Sequence, residues 1–174
     1  MGFSLLADAE FPSILSISPD WLKKKGIRFL MLDFDNTVIA YTETVPSAEF
    51  LSWREQLERD GIALMIVSNS RKSRRVPDFC AQWDMAFIRH AGKPKPGGIL
   101  RALGQQGVLP TQAALVGDQT FTDVLGANLA GVTSILVRPI RFSNPFQAVR
   151  FGLEQPFIRL GRKKRKENGN GSCN

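Results

Sequence analysis

The chain has 174 residues, of which 43% are hydrophobic, so its length and composition predict one compact domain with a large core. Only two cysteines occur, Cys80 and Cys173, and His90 is the single histidine. These counts exclude a disulfide scaffold, a zinc ribbon and a multi-histidine metal site. Two cysteines without paired spacing also favour a reducing, cytoplasmic location.

Positive charge is concentrated at the carboxyl end of the chain. The sequence carries 23 basic and 16 acidic side chains, which gives a net charge of +7. We predict a single domain over residues 1–160 and a basic, disordered tail over residues 161–174. No apolar run approaches the roughly 20 residues that a membrane-spanning helix needs, so we expect a soluble protein. The basic residues of the tail are Arg162, Lys163, Lys164, Arg165 and Lys166.

Short apolar runs alternate with helix-like segments over most of the length. Ser18 and Ser47 are suited to begin helices, and Gly26 and Gly61 are suited to end them. The predicted strands are nearly all apolar, which is typical of parallel strands covered on both faces. In chain order the predicted elements are a helix at 19–25, a strand at 27–32, a helix at 48–60, a strand at 62–67, a helix at 72–83, a strand at 86–89, a helix at 98–106, a strand at 113–116, a helix at 123–130 and a strand at 133–137.

This order of elements predicts an α/β protein in which a parallel sheet of about five strands has helices on both faces. After the last strand, Asn144 and Pro145 open a helix-like stretch that we expect Pro156 to interrupt. Its apolar residues are Phe146, Val149, Leu153, Phe157 and Leu160.

Polar side chains follow four of the predicted strands. Ligands of an open parallel sheet bind beyond the carboxyl ends of its strands, so we expect these side chains at one edge. Two carboxylates directly after a buried strand are costly unless a cation or hydrogen bonds hold them, and small donors at a helix start suit a phosphate. The four segments are Asp33-Phe34-Asp35-Asn36-Thr37, Ser68-Asn69-Ser70, Gly92-Lys93-Pro94-Lys95-Pro96-Gly97 and Gly117-Asp118-Gln119-Thr120-Phe121-Thr122-Asp123.

Each of these residues has an ordinary structural explanation when it is taken alone. Asp118 or Asp123 could cap the next helix, and Ser68 could be a turn residue. Lys93 could be a solvated lysine. All four segments nevertheless occur together, in order and at one expected edge, which favours a functional site.

Together the four segments resemble the haloacid dehalogenase superfamily of phosphotransferases, over residues 16–139. Residues 27–126 look like the subclass IIIA phosphatases, and within that subclass they resemble the YqeG-type branch, which is similar to the phosphatidylglycerophosphate phosphatases of organelles. The chain lacks the cysteine-rich zinc loop of the sugar- and histidinol-phosphate members. The resemblance implies a Rossmann-like sheet and phosphatase activity.

The resemblance also implies a mechanism. Asp33 would attack phosphorus and become an aspartyl-phosphate, while Asp35 would protonate the leaving alcohol and later take a proton from water. Asp33, the backbone carbonyl of Asp35 and Asp118 would bind Mg²⁺, which would neutralise charge between the nucleophile and the phosphate. Thr37 would support the site, and Asp123 would orient the catalytic lysine or a metal-bound water.

Residues after the second and third predicted strands are the candidates for binding the phosphate and stabilising its negative charge. The resemblance implies that Ser68 and Asn69, together with Lys93, bind the oxygens of the phosphate. Lys93 would stabilise charge on the transferring phosphoryl group and on the aspartyl-phosphate. Lys95 is a competitor, because both lysines directly precede a proline. The closer position of Lys93 to the strand favours Lys93.

The spacing of the segments leaves no room for a cap domain over the site. Only 30 residues separate Thr37 from Ser68, and 23 separate Asn69 from Lys93. Each gap must hold a helix and a strand, whereas an independent domain needs about 50 residues or more. An open site favours a bulky or lipid phosphate such as phosphatidylglycerophosphate, hydrolysed by a cytoplasmic protein that is peripheral at the membrane.

Other functions stay open at this point. One is a phosphatase for another phosphorylated metabolite or macromolecule, and another is a nucleic-acid- or ribosome-binding module with a silent phosphatase fold. The tail cations suit an anionic membrane, nucleic acid or solvent. A second group of basic residues lies close to Ser68 in the sequence. A nearby polyanion or a solvated helix face would explain it equally well. Its members are Arg71, Lys72, Arg74 and Arg75. Nothing in the sequence indicates an oligomeric state.

Overall fold

A parallel sheet forms the centre of the molecule in the computed structural model, which describes residues 4–70, 74–141 and 145–167. The strand order is β1-β6-β5-β2-β3-β4, and every neighbouring pair is parallel. The strands are β1 (Ala9–Phe11), β2 (Phe29–Leu32), β3 (Ala63–Val67), β4 (Ala86–Ile88), β5 (Ala113–Gly117) and β6 (Thr133–Val137).

Six α-helices and three shorter helical turns, Ile14–Ser16, Pro110–Gln112 and Thr120–Val124, connect or flank these strands within the described residues. The α-helices are α1 (Pro19–Lys24), α2 (Ala48–Arg59), α3 (Arg75–Gln82), α4 (Gly97–Gln106), α5 (Leu125–Ala130) and α6 (Pro145–Glu167). The hydroxyl of Ser18 accepts the Trp21 N–H, and that of Ser47 accepts the Phe50 N–H, so α1 and α2 begin where the sequence predicts.

Alternate residues of the central strand β2 point to opposite faces of the sheet. Leu30 and Leu32 pack in one apolar cluster with residues of α1, α2 and α3, whereas Phe29 and Met31 pack in a second cluster with residues of α4 and α5. Both faces are therefore buried, which explains why the strands are nearly all apolar. The predicted parallel α/β sheet with helices on both faces is confirmed.

The sheet has one strand more than the five that the sequence predicts. The additional strand, β1, has only three residues and pairs with β6 through Ala9 and Ile135. Asp8 anchors it, because its carboxylate accepts hydrogen bonds from the backbone N–H and the hydroxyl of Ser134, at 2.8 and 2.9 Å. Such a short edge strand carries too little apolar pattern to be recognised locally, since its partner lies 126 residues away.

The longest helix, α6, differs most from the sequence-based expectation. It continues through Pro156 and through Gly161 to Glu167, so the predicted interruption is wrong and disorder does not begin at residue 161. Tertiary contacts offset the cost of the internal proline: the Phe157 ring packs edge-on against Phe121 at 5.8 Å. Residues 168–174, which were also expected to be disordered, lie outside the described residues.

The connections that could hold a cap domain are short, as expected. Among the described residues, the connection from Thr37 to Ser68 holds only α2 and β3 as regular elements, and the one from Asn69 to Lys93 holds only α3 and β4. No described helix is both long enough and apolar enough to cross a membrane.

Candidate active site

The four polar segments do meet at the carboxyl edge of the sheet. Asp33 follows β2, and its N–H donates to the carbonyl of Val116 in β5 at 2.8 Å. Ser68 follows β3, and its N–H donates to the carbonyl of Ile88 in β4 at 2.9 Å. Because β2 lies between β3 and β5, the strand register brings Asp33, Ser68 and Asp118 to neighbouring positions.

Lys93 lies at the centre of this edge. Its Nζ is 2.7 Å from Oδ1 of Asp33 and 2.7 Å from Oδ1 of Asp123, and all three side chains are buried. Burial disfavours the charged ammonium, but attraction to Asp123 and Asp33 outweighs it and holds the pKa of Lys93 above its usual value. Lys95 is exposed, so only the first of the two competing lysines is brought to the carboxylates.

Asp123 fills the space beneath the turn that follows β5. Burial is the largest influence on its carboxyl and raises its pKa to about 6, against the opposing effect of Lys93. The Gln119 N–H donates to its Oδ2 at 3.1 Å. A Cβ atom at Gly117 would overlap this carboxyl, so the close approach requires glycine there.

Three buried carboxylates form a cluster that could hold a metal ion. Oxygen atoms of Asp33, Asp118 and Asp123 lie within 4.8 Å of one another. One lysine ammonium does not balance three buried carboxylates, and hard oxygen ligands are those that Mg²⁺ prefers. The residues therefore fit a divalent cation. Asp33 and Asp118 come together as expected, and Asp123 joins them in addition to contacting Lys93.

The segment after Asp33 folds back as a tight loop. Asp35 forms an isolated parallel bridge with Ile39, and the Asn36 N–H donates to the carbonyl of Ile39 at 2.8 Å. Asn36 adopts a left-handed conformation with φ of 64°, which asparagine tolerates well. Thr37 is buried in this loop and is placed to support it.

Arg75, the first residue of α3, fastens this loop. Its guanidinium donates to the carbonyl oxygens of Ala40 and Tyr41 at 2.8 and 3.2 Å, and its Nε lies 3.5 Å from Oδ1 of Asp35. It also lies over the Phe34 ring, 5.0 Å from the centroid. From the sequence, Arg75 belongs with basic residues that face a polyanion or solvent, because nothing local indicates a partner 40 residues earlier.

Ser68 and Asn69 make different contacts. Ser68 is buried at the strand end, where its hydroxyl accepts the Ser70 N–H at 3.0 Å. The Asn69 amide instead makes a pair of hydrogen bonds with the backbone of Lys93: its Nδ2 donates to the carbonyl at 2.8 Å, and its Oδ1 accepts the N–H at 2.9 Å. Asn69 therefore fixes the segment that carries Lys93, whereas the sequence predicted that it would bind phosphate.

The remaining basic residues near Ser68 are only partly described. Arg74 is exposed immediately before α3. Arg71 and Lys72 lie outside the described residues.

Several known proteins are similar to this chain in sequence. Residues 90–139 match a family model described as HAD-hydrolase-like. The chain is 33% identical to the probable phosphatase YqeG of Bacillus subtilis over 141 residues, which cover 81% of each protein. It is also 28% identical to phosphatidylglycerophosphate phosphatase 1, chloroplastic/mitochondrial, of Arabidopsis thaliana, over 73% of this chain and 40% of that protein.

A solved structure agrees with these relatives at the level of the fold. A putative HAD superfamily (subfamily III A) hydrolase from Legionella pneumophila superposes with a TM-score of 0.53 at 14% identity, covering 80% of this chain and 88% of that one. Relatives, fold and the acidic, lysine-containing strand ends all agree. The chain belongs to the YqeG-type family of phosphatases within the haloacid dehalogenase superfamily.

Proposed function

We propose that this protein is a Mg²⁺-dependent phosphomonoester hydrolase that works through an aspartyl-phosphate on Asp33. The observation that carries the proposal is the buried ammonium of Lys93 between Asp33 and Asp123, 2.7 Å from each, within a carboxylate cluster at the strand ends. Such a site unites a nucleophile, an adjacent positive charge and a set of metal ligands, which are the requirements of phosphoryl transfer to a carboxylate.

The reaction proceeds in two displacements. A carboxylate oxygen of Asp33 attacks phosphorus, the bond between phosphorus and the alcohol oxygen breaks, and Asp35 gives that oxygen a proton. Water then attacks the phosphorus of the aspartyl-phosphate while Asp35 takes back a proton. The second displacement releases inorganic phosphate and restores the Asp33 carboxylate, so that Asp35 is needed in both protonation states during one turnover.

The other residues at the edge bind and position. Ser68 is placed to donate its hydroxyl to a phosphate oxygen, and Lys93 balances the negative charge that accumulates on the transferring group. Asn69 holds Lys93 by hydrogen bonds to its backbone, and Asp123 holds it by an ion pair with its ammonium group. Asp33, Asp118 and the carbonyl of Asp35 would hold Mg²⁺, which when bound supplies positive charge between the nucleophile and the phosphate.

A thiol-based phosphatase mechanism has less support. Cys80 is buried in the core between α3 and the sheet, and burial raises the pKa of its thiol to about 12. A thiol held protonated at neutral pH is a poor nucleophile. Cys173 lies outside the described residues.

A lipid phosphate is the substrate class that we propose for this site. The short connections between the site segments support a site with no cap inserted there, and an open site favours a substrate held at a surface over a small enclosed metabolite. The similarity to a phosphatidylglycerophosphate phosphatase of Arabidopsis thaliana points to the same class, although the chain spans only 40% of that relative's length.

A substrate panel tests both parts of the proposal. Phosphate release would be measured from p-nitrophenyl phosphate, phosphatidylglycerophosphate in mixed micelles, a sugar phosphate, a nucleotide and a phosphopeptide, each with Mg²⁺ and with excess EDTA. We expect slow, Mg²⁺-dependent hydrolysis of the aryl phosphate and the highest kcat/KM on the lipid. Undiminished rates in EDTA would contradict the metal requirement, and inactivity on every substrate would favour the silent binding module.

A further inference from the structure

The described part of helix α6 has two faces of opposite character. Glu154 and Ile158 are buried on the inner face. Val149, Leu153 and Leu160 are exposed by 61%, 64% and 56%, and their spacing of four and seven residues places them in one stripe on the outer face. Aliphatic side chains that share a stripe on a helix are normally buried, so this arrangement requires an explanation.

Contacts of the inner face fix the rotation of α6 about its axis. Phe157 packs against Phe121, Ile158 shares an apolar cluster with Val124 and Leu136, and the Glu154 carboxylate accepts the Phe121 N–H at 3.5 Å. Together these contacts hold α6 against the turn that carries Asp123. The exposed stripe therefore cannot turn inward without breaking them.

The charges on α6 are almost entirely positive. Between Pro145 and Lys166 the only acidic residue in the sequence is Glu154, and it is buried. Arg159, Lys163 and Lys164 are exposed. The outer surface of α6 thus combines aliphatic side chains with cations and, along its described length, has no exposed carboxylate before the last turn.

A shallow cavity lies where the aliphatic stripe meets the lysines. It has a volume of about 420 Å³ and is lined by Leu6, Leu160, Lys163 and Lys164. A lining of two leucines and two lysines is complementary in character to a phospholipid, which combines acyl chains with an anionic phosphate.

We infer that the outer face of α6, defined by Val149, Leu153, Leu160, Lys163 and Lys164, docks the protein on an anionic phospholipid bilayer. Aliphatic burial and attraction of cations to anionic lipid are the two contributions that hold helices at a membrane surface. Docking would bring the open site to a lipid phosphate, so this role of α6 rests on the proposed function.

Other occupants account for fewer of these features. Nucleic acid binds through cations and its phosphates, which leaves the aliphatic stripe unexplained. A second copy of the chain would need a larger surface, since stable interfaces bury roughly 20–30 residues on each side, whereas the outer face contributes three aliphatic residues.

Co-sedimentation of the full chain with vesicles tests the docking surface. The vesicles would be pure phosphatidylcholine or phosphatidylcholine with 30 mol% phosphatidylglycerol, a composition that we choose for its charge. We expect binding to the anionic vesicles alone. The Leu153→Ser/Leu160→Ser variant should weaken it at least tenfold by removing aliphatic burial, and the Lys163→Gln/Lys164→Gln variant about tenfold at low salt.

Two variants of similar chemistry serve as matched controls. Leu109→Ser removes an aliphatic side chain that is 64% exposed elsewhere, and Lys24→Gln/Lys25→Gln removes two exposed charges at the end of α1. Both should bind anionic vesicles within twofold of the unaltered chain. All variants should hydrolyse p-nitrophenyl phosphate at the unaltered rate, because none changes a residue of the site.

The outcomes separate the docking surface from the proposed function. Absent vesicle binding, or equal loss in the matched controls, would overturn the docking surface even if aryl phosphate hydrolysis is normal. Normal vesicle binding without Mg²⁺-dependent hydrolysis would instead overturn the proposed function. Dimerisation or RNA binding in place of vesicle binding, lost in the same α6 variants, would assign the surface to those partners and contradict the bilayer.

Discussion

The carboxyl edge of the sheet and the outer face of α6 depart from ordinary burial in opposite directions. At the sheet edge, Asp33, Lys93 and Asp123 are charged and buried, whereas on α6 the side chains of Leu153 and Leu160 are aliphatic and exposed. Each departure costs free energy in the isolated chain. We expect a cation and a phosphate to relieve that cost at the sheet edge, and a lipid surface to relieve it on α6. In both regions the side chains lie in an environment that disfavours them, and this mismatch marks each region as a candidate site.

The two regions also differ in what holds them in place. The sheet edge is fixed by backbone hydrogen bonds of paired parallel strands, such as the one between Asp33 and Val116. Among the side chains of α6 that the structure describes, Glu154, Phe157 and Ile158 hold the helix against the rest of the fold. Arg162 adds a hydrogen bond to Glu10. We therefore expect substitutions at the edge to abolish chemistry, and substitutions on α6 to change stability or location while chemistry continues.

The largest expected effect comes from Asp33→Asn. The amide cannot form an aspartyl-phosphate and is a poorer metal ligand, so hydrolysis of p-nitrophenyl phosphate should fall below about one hundredth of the original rate. Thermal unfolding should show that the fold persists. The exposed carboxylate Asp20, changed to asparagine, is the control. Retention of more than that fraction of activity would mean that another residue is the nucleophile.

Lys93→Gln should affect both chemistry and stability. Without the ammonium, Asp33 and Asp123 are buried unpaired, which costs about 3–5 kcal/mol of the free energy of unfolding at neutral pH. The pKa of Asp123 is already raised to about 6, and the loss of Lys93 raises it further. The loss of unfolding free energy is therefore largest at a pH above the raised pKa of Asp123. It becomes smaller as the pH falls and the Asp123 carboxyl takes up a proton.

Urea unfolding between pH 5 and pH 8 measures this penalty. Lys95→Gln is the matched control, since Lys95 is exposed two residues away, and it should change both activity and stability little. Equal effects of the two substitutions would contradict the conclusion that the ion pairs of Lys93 with Asp33 and Asp123 stabilise the sheet edge.

Arg75→Gln should give a smaller and more selective effect. The loop that carries Asp35 loses its hydrogen bonds to α3. We therefore expect the Asp35 carboxyl to be positioned less well for protonating the leaving group. Alkyl phosphates need that proton and should slow about tenfold more than p-nitrophenyl phosphate, whose leaving group departs unaided. The exposed neighbour, changed as Arg74→Gln, should affect neither substrate. Equal slowing of both substrates would refute the positioning role.

Phe157→Ala should have the smallest effect on chemistry. Loss of the ring contact with Phe121 should lower the free energy of unfolding by about 1–2 kcal/mol, less than for a fully buried ring. Turnover of p-nitrophenyl phosphate should stay within threefold, and Phe157→Leu should recover most of the stability. A loss of turnover as large as that of Lys93→Gln would break the distinction between the two regions, because α6 would then belong to the site.

Much of the catalytic edge could be predicted from the sequence, because its signals are local. An apolar run followed at once by Asp33 or by Ser68 marks the end of a buried strand, and parallel strands place such ends together. The sequence could not predict in this way which distant residues the side chains at this edge would contact. Asn69 bonds to the backbone of Lys93, and Arg75 reaches the Asp35 loop, and neither contact leaves a pattern in the neighbouring residues.

The sequence by itself determined the parallel α/β architecture and the residues at its strand ends, since apolar periodicity and strand-end chemistry act over a few residues. The sequence favoured Lys93 over Lys95 by its closer position to the strand. The tertiary structure brings only Lys93 to the carboxylates of Asp33 and Asp123 and leaves Lys95 exposed. It also decided that β1 forms and that α6 continues through Pro156. These features depend on pairings such as Asp8 with Ser134 and Phe121 with Phe157, whose free energy arises only once distant segments have come together.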